Sequence, residues 1–212
     1  MQPILNPAPL WQPDRSEYVI LWHGCTELDK VNIEKYRIDP ARGRVDADFG
    51  RGFYTTTREQ QARHWAWKRF EEWKANPANA GKSNRPVILR FRTPRYGLQG
   101  RGRGLDELNS LNFVLGNYDN EDYWSLVQHC RQSVPANPLL GVPAVVSDHR
   151  RSPDGWYDLV VGPVAAFWKQ RAALQDADQL SFHTDAAVTI LNDLIQSSRQ
   201  LPSEEYGWLA LL

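Results

Sequence analysis

The chain has 212 residues, 42% of them hydrophobic, and its 25 basic and 25 acidic residues cancel to a formal net charge of zero. This length and composition can bury one sizeable core, so we expect a single domain. The balanced charge excludes a global field that would draw the protein to nucleic acid or to a membrane, so any such binding must be local.

Cysteine use and the N-terminal segment bear on metals and location. Cys25 and Cys130 are too few for a disulfide framework, and no CxxC or Cys/His ligand spacing occurs, so we expect a reducing compartment and no metal site. Residues 1–17 lack the basic start and apolar run of a signal peptide, and no stretch approaches the roughly 20 apolar residues that span a bilayer. We therefore predict a protein without membrane contact that stays in the cytoplasm or is delivered into a target cell.

The N-terminal part is predicted to be an arm followed by a strand. Residues 1–16 contain four prolines, which favour an extended surface arm. Residues 18–22 are a compact apolar and β-branched run, which predicts a buried strand that ends at His23 and Gly24. Residues 30–39 are expected to hold one or two helical turns.

Residues 46–57 combine Gly50 and Gly52 with a Phe-Tyr pair and three threonines. The glycines allow a tight turn, and the residues after them favour a strand leaving that turn. Such a segment is either a plain hairpin or bulge, or it presents Tyr54 beside a backbone-lined pocket.

The clearest helical pattern follows this segment. Thr57 is predicted as its N-cap, and Gln60 completes a capping box. Apolar residues then recur at helical spacing, which predicts that they form the buried stripe: Ala62, Trp65, Ala66, Phe70 and Trp73. Residues 86–92 are predicted to be the next strand.

The second half predicts further strands and two helices. The glycine- and arginine-rich segment 96–104 is either a solvated loop or a local phosphate contact. Strands are expected at 111–115 and 157–161, the latter stopped by Gly162-Pro163, and a helix is expected to begin after Asn120.

The C-terminal part is predicted to be a strand, a helix and a tail. Residues 179–183 alternate, which places Gln179, Ser181 and His183 on one face of a strand. Thr184 is predicted to cap a helix whose apolar stripe continues to Ile195, and residues 201–212 form an apolar tail.

Four separated pieces of the sequence line up in order with one family. They are Leu-Trp-His-Gly at 21–24, Asp-Phe-Gly-Arg-Gly-Phe-Tyr-Thr-Thr at 48–56, Tyr-Asp-Leu-Val-Val-Gly-Pro-Val-Ala at 157–165, and Asp-Gln-Leu-Ser-Phe-His-Thr at 178–184. Together they resemble a toxin-like prokaryotic domain family of the ADP-ribosyltransferase superfamily, on the side of diphtheria toxin and the poly(ADP-ribose) polymerases. Four pieces in the right order are a specific signal, whereas each alone is not.

The resemblance implies an α+β fold with a split, mixed β-sheet core and surrounding helices, with NAD held between the sheet halves. His23 matches the histidine that bonds the adenosine ribose, and Gly24 matches the glycine whose backbone holds the nicotinamide amide. Tyr54 matches the tyrosine that stacks on nicotinamide, and Trp65, eleven residues on, matches the second aromatic of that stack. Four more residues of the second piece are expected to contribute to NAD binding: Arg51, Gly52, Phe53 and Thr56.

Gln179 stands where the resemblance implies a catalytic glutamate. An amide can bond a ribose hydroxyl, but it can neither act as a base nor offer a full negative charge to the cationic ribose. Single transfer is therefore favoured over polymer formation. Another acid, Asp178, Glu121 or Asp122, is an alternative source of the charge.

We therefore expect residues 17–200 to form a mono-ADP-ribosyltransferase that transfers ADP-ribose from NAD to a macromolecular target, a protein in the first instance, as a bacterial toxin or effector. From the resemblance, a small antitoxin or immunity protein is an expected partner. Two alternatives stay open: a catalytically silent NAD-binding or interaction module, and an RNA-directed ADP-ribosyltransferase or phosphotransferase.

Overall fold

Two β-sheets and four α-helices form the part of the chain that the computed structural model describes, which is residues 18–94, 98, 108, 110–113, 121–132, 157–174, 176–192 and 195–200. One of the sheets is mixed, so the predicted α+β class is confirmed. The predicted arm at 1–16, most of the basic segment 96–104 and the tail at 201–212 lie outside these residues.

The first sheet has three antiparallel strands in the order β1-β3-β7: Tyr18–Thr26, Pro86–Pro94 and Ile195–Gln200. Strand β1 is longer than predicted, because it runs on through His23 and Gly24 and pairs with β3 along its whole length. The prediction that helical structure continues to Ile195 was wrong. The helix ends at Asn192, whose side chain accepts a hydrogen bond from Ile38 N (2.8 Å), and β7 follows.

The second sheet has the order β2-β6-β5-β4: Phe53–Thr55, Asp178–Phe182, Leu159–Pro163 and Ser110–Asn112. Strands β4 and β5 are parallel and the other pairs are antiparallel. The prediction that Gly162-Pro163 stops β5 was wrong, since both residues pair with β6. Gly162 is needed there, because a Cβ would lie 3.0 Å from the Phe49 ring.

The two sheets meet where β1 passes β2. Trp22 N donates to Thr56 O (2.8 Å) and Thr56 N donates to Trp22 O (2.9 Å), forming one isolated bridge. Within the described residues, this bridge is the backbone pairing that links the two sheets.

The helices are α1 Glu27–Tyr36, α2 Glu59–Ala75, α3 Glu121–Gln132 and α4 Asp185–Asn192. Thr26 and Asp29 form a capping box on α1, so this helix begins earlier than predicted. Thr57 does not cap α2, because its hydroxyl donates to Asp178 instead. Thr184 does cap α4, where its hydroxyl accepts from Ala187 N (3.3 Å).

Apolar residues of both sheets form the largest core cluster, in which Leu21, Leu89, Phe53 and Leu180 meet. On α2 the buried residues are Ala62, Ala66 and Trp67. The predicted buried stripe was therefore wrong at Trp65, Phe70 and Trp73, which are partly exposed, whereas Trp67 is buried. Within the described residues, every helix is too short or too polar to cross a membrane.

Candidate functional site

Tyr54 lies on β2 directly after the glycine-rich turn. Its hydroxyl donates to Gly50 O (2.7 Å) and accepts from Phe49 N (3.0 Å), so the side chain closes the turn that precedes it. Burial raises the pKa of Tyr54 well above its ordinary value, which keeps the phenol protonated. Tyr54 as a whole is partly buried, and it packs on the cluster that contains Phe49 and Val160.

His23 connects the first sheet to Tyr54. Its Nδ1 lies 2.6 Å from Tyr54 O, and since a carbonyl oxygen only accepts, Nδ1 carries the hydrogen. Burial lowers the pKa of His23, so the ring is neutral and Nε2 is an acceptor. Among the described residues Nε2 has no hydrogen-bond donor. The ring stacks against Phe53, with centroids 4.2 Å apart.

Gly24 occupies a gap in the edge of β1 that faces β2. The backbone groups of Trp22 on this edge pair with Thr56, and alternate residues of a strand point to the same edge. The next such N–H, that of Thr26, donates to Asp29 Oδ2 (3.1 Å). Gly24 lies between them, and its N–H and C=O have no partner there among the described residues. Gly24 also packs directly against α2, because a Cβ at this position would lie 2.0 Å from Ala62 O.

Tyr54 and Gln179 project from one face of the second sheet. Tyr54 pairs with Ser181 across the β2–β6 ladder, and Gln179 is two residues before Ser181 on β6. Since the side chains of a strand alternate, these three residues share a face, as predicted for Gln179 and Ser181. The His23 ring lies on the side of Phe53, which is the opposite face of β2. A ligand that contacts all of these groups must therefore pass through the junction of the two sheets.

The Gln179 amide is held by two acceptors. Its Nε2 donates to Asp48 Oδ2 (2.6 Å) and to Pro163 O (2.8 Å), and the residue is 7% exposed. Asp48, which is 3% exposed, also accepts from Ala165 N (2.8 Å) and pairs with the Arg131 guanidinium. From the sequence, Asp48 is interpreted as a residue that binds phosphate or shapes the loop, with plain turn chemistry favoured, and its contact with Gln179 is not predicted. The available signal was that Asp48 is the first residue of the second motif.

The acids considered as substitutes for the missing glutamate lie elsewhere. Asp178 is 2% exposed, and its Oδ1 accepts from Thr56 Oγ1 (2.6 Å) and Thr57 N (2.9 Å), on the face of β6 opposite to Gln179. Glu121 pairs with Arg171 at 2.7 Å on the surface. Asp122 is a partly exposed residue in the first turn of α3. Asp48 is the carboxylate that touches Gln179.

The other predicted NAD-binding residues have structural contacts. Thr56 is buried and bonds Asp178, and Phe53 belongs to the core between the sheets. Gly52 passes so close to β6 that a Cβ would lie 2.6 Å from Ser181 Oγ. Arg51 is exposed, and its carbonyl oxygen is 2.8 Å from His183 Nδ1.

Trp65 extends from the partly exposed side of α2. Lys68 Nζ lies 4.6 Å from its ring centroid, and His64 packs against it edge to face. The structure thus joins His23 to Tyr54 and places Tyr54 on the face of Gln179, while the ring contacts of Trp65 lie within its own helix.

Comparison with known families gives one match. The model of a family described as "Protein of unknown function (DUF3990)" matches residues 19–169, which is more than half of the chain. Neither the curated proteins nor the solved structures contain a significant match.

Proposed function

The chain belongs to the DUF3990 family, whose description assigns no activity, and we propose that it is a NAD-dependent mono-ADP-ribosyltransferase built on a split ADP-ribosyltransferase-type core. The observation that carries the proposal is the hydrogen bond from His23 Nδ1 to Tyr54 O at the junction of two sheets, beside Gly24, whose N–H and C=O on that edge of β1 have no partner within the described part of the chain. It supports the roles that the sequence resemblance assigns to these residues.

Each of these groups offers what NAD requires. The Nε2 atom of a neutral His23 accepts a hydrogen bond from a ribose hydroxyl. Gly24 offers one N–H and one C=O, which complement the primary amide of nicotinamide. The ring of Tyr54 provides an aromatic surface for the leaving base, and its hydroxyl holds it in one orientation.

The reaction breaks the bond between nicotinamide nitrogen and ribose C1′. The electron pair leaves with nicotinamide, which becomes neutral, and positive charge develops on the ribose. A nucleophile of the acceptor then bonds C1′ and loses its proton. The protein's part is to hold the dinucleotide bent, to bury the leaving ring and to place a polar group beside the cation.

Gln179 supports the single-transfer form of this activity. Its amide cannot deprotonate an incoming hydroxyl, so chain elongation has no base at this position. One specific observation favours a silent NAD-binding module as a second candidate. The Gln179 amide group is already bonded to Asp48 and Pro163, which a purely structural residue would also show.

Release of nicotinamide by the purified protein decides between these two functions. Wild type incubated with NAD and cell extract should release nicotinamide. His23→Ala and Tyr54→Ala should lower that rate by about 100-fold or more, because each removes a group that orients the reacting bond. His64→Ala and Tyr36→Ala are matched controls on partly or fully exposed residues, and they should retain the wild-type rate. No release by folded wild type at any NAD concentration would exclude the enzyme.

The acceptor is identified in a second experiment. Labelled NAD is incubated with extract, and the products are treated separately with protease and with nuclease. Label that becomes soluble only after protease indicates a protein target, as proposed. Label released only by nuclease indicates a nucleic-acid target and would contradict that part of the proposal.

A further inference from the structure

The orientation of the Gln179 amide follows from its two neighbours. Asp48 Oδ2 and Pro163 O are both acceptors, so the group that faces them at 2.6 and 2.8 Å must be the NH2 group. Both amide hydrogens are thereby used. The carbonyl oxygen Oε1 remains, and none of the residues described in the structure donates a hydrogen bond to it.

Asp48 is itself completely engaged. Its Oδ1 accepts from Arg131 Nε (2.7 Å), and its Oδ2 accepts from Ala165 N as well as from Gln179. A carboxylate that is 3% exposed and paired with a guanidinium cannot turn its oxygens elsewhere. It therefore has no free oxygen with which to act as a base on a substrate.

We infer that Asp48 is a positioning residue that makes Gln179 an obligate hydrogen-bond acceptor, so that the site selects a ligand with a donor hydroxyl at this point. The inference rests on the proposed function, in which that hydroxyl is the 2′-hydroxyl of the nicotinamide ribose. The same contacts exclude glutamate: a carboxylate at this position would face two acceptors and no donor. The glutamine is thus the residue that this site requires.

Binding of NAD and of its 2′-deoxy analogue, modified in the nicotinamide ribose, tests the selection. Measured by calorimetry, wild type should bind NAD about 10-fold more tightly than the analogue, since the analogue leaves Oε1 without its donor. In Asp48→Asn the side chain at position 48 can rotate its NH2 group towards Gln179, so that only Pro163 O still holds the amide in its orientation, and the ratio should fall. An unchanged ratio in folded Asp48→Asn would overturn the inference.

A second pair of variants tests the pairing independently, by exchanging the carboxylate and the amide between positions 48 and 179. Gln179→Glu should weaken NAD binding about 10-fold, because Asp48 and the new carboxylate repel each other. Asp48→Asn combined with Gln179→Glu should recover most of that loss, because the amide introduced at position 48 can donate to the carboxylate. If the double variant binds NAD no better than Gln179→Glu, the pairing of the two positions is wrong.

Side-chain amide NMR separates this inference from the proposed function. Both Gln179 NH2 hydrogens should exchange slowly with solvent in wild type and at least about 10-fold faster in Asp48→Asn, with or without NAD. Gln61, whose Nε2 donates to Asp178 O (2.7 Å) on the other side of β6, is the internal control and should not change. Failure of wild type to bind NAD would refute the proposed function, whereas equal exchange in the two proteins would refute the role of Asp48.

Discussion

The two sheets are held together by different kinds of contact. Strands β1 and β3 pair over nine residues each, and α2 lies directly on them at Gly24. In the second sheet β2 has three residues and β6 has five, and buried carboxylates bind the neighbouring segments to them: Asp48, Asp158 and Asp178. Short strands offer few ladder hydrogen bonds, so side-chain hydrogen bonds hold this half. A buried polar residue of the second sheet therefore stabilises the fold, whether or not it also takes part in chemistry.

Removal of the most connected of these carboxylates should have the largest effect on the second sheet. Asp48→Ala leaves the Arg131 guanidinium without its partner and two N–H donors unsatisfied, so we expect a loss of about 3–5 kcal/mol in unfolding free energy. Urea denaturation measures it. The control is Glu121→Ala, which removes the exposed pair with Arg171 and should change stability by less than about 0.5 kcal/mol. Similar losses in both variants would show that burial of the pair is unimportant.

In the first sheet the sensitive position is Gly24, where a larger residue would clash with α2. Gly24→Ala places a methyl group 2.0 Å from the Ala62 carbonyl oxygen, so α2 must shift, and we expect a loss of about 1–3 kcal/mol. Gly81→Ala is the matched control, since its Cβ meets nothing within 4 Å and only its φ of +75° is unfavourable. The two effects differ in kind: Gly24→Ala should also weaken NAD binding, and Gly81→Ala should not. Equal losses of stability in the two variants would contradict the close packing of this strand on α2, and wild-type NAD affinity of Gly24→Ala would contradict the proposed role of Gly24 in binding.

His23 lies where the halves meet, and its ionisation gives a smaller effect. Because burial lowers its pKa, the folded protein binds fewer protons than the unfolded chain below about pH 6.5, so unfolding free energy falls as the pH falls through that window. His23→Gln lacks this titration and should lose less stability than wild type between about pH 7.5 and about pH 5.5. Thermal unfolding at both pH values measures the difference. Equal losses in the two proteins would mean that His23 is not held neutral.

The smallest expected effect concerns the reactivity of Cys130, whose thiol lies in the core cluster that contains Phe49 and Val160. Burial raises the pKa of Cys130 to about 12, so the thiol is protonated at neutral and mildly alkaline pH. An aromatic disulfide reagent should label native wild type no faster at this position than the protein unfolds. Asp48→Asn, if it loosens the cluster, should speed labelling. Rapid labelling of the native wild-type protein would show that this core is open to solvent.

Local patterns predicted much of the first half of the fold. The apolar run at 18–22 lies in β1, the periodic segment after Thr57 forms α2, and alternation on β6 placed Gln179 and Ser181 on one face. These features succeed because each depends on neighbours within a few residues. The junction of His23 with Tyr54 was implied by the resemblance, although no pattern in the chain determines it.

The errors at Asp48, Thr57 and Ile195 share a physical cause. Asp48 meets Arg131 across 83 positions, and Asp178 meets Thr57 across 121, so neither partner has a local signal. Thr57 has the composition of an N-cap but bonds this distant acid instead. Ile195 continues the apolar stripe of α4 and yet begins β7, because Asn192 is held by the segment after α1. Long-range polar contacts override local preference at each of these positions.

The gap at Gly24 has a consequence for the kinds of molecule that can enter it. On that edge of β1, Thr56 pairs with the residue two before Gly24, and Asp29 takes the N–H of the residue two after it. An opening of one residue is too short for another polypeptide to extend the sheet, so we do not expect strand addition at this edge. A primary carboxamide offers N–H donors and one carbonyl acceptor on adjacent atoms, which complement the C=O and the N–H of Gly24. If the proposed function holds, we therefore expect small aromatic amides to bind at this edge through the backbone of Gly24.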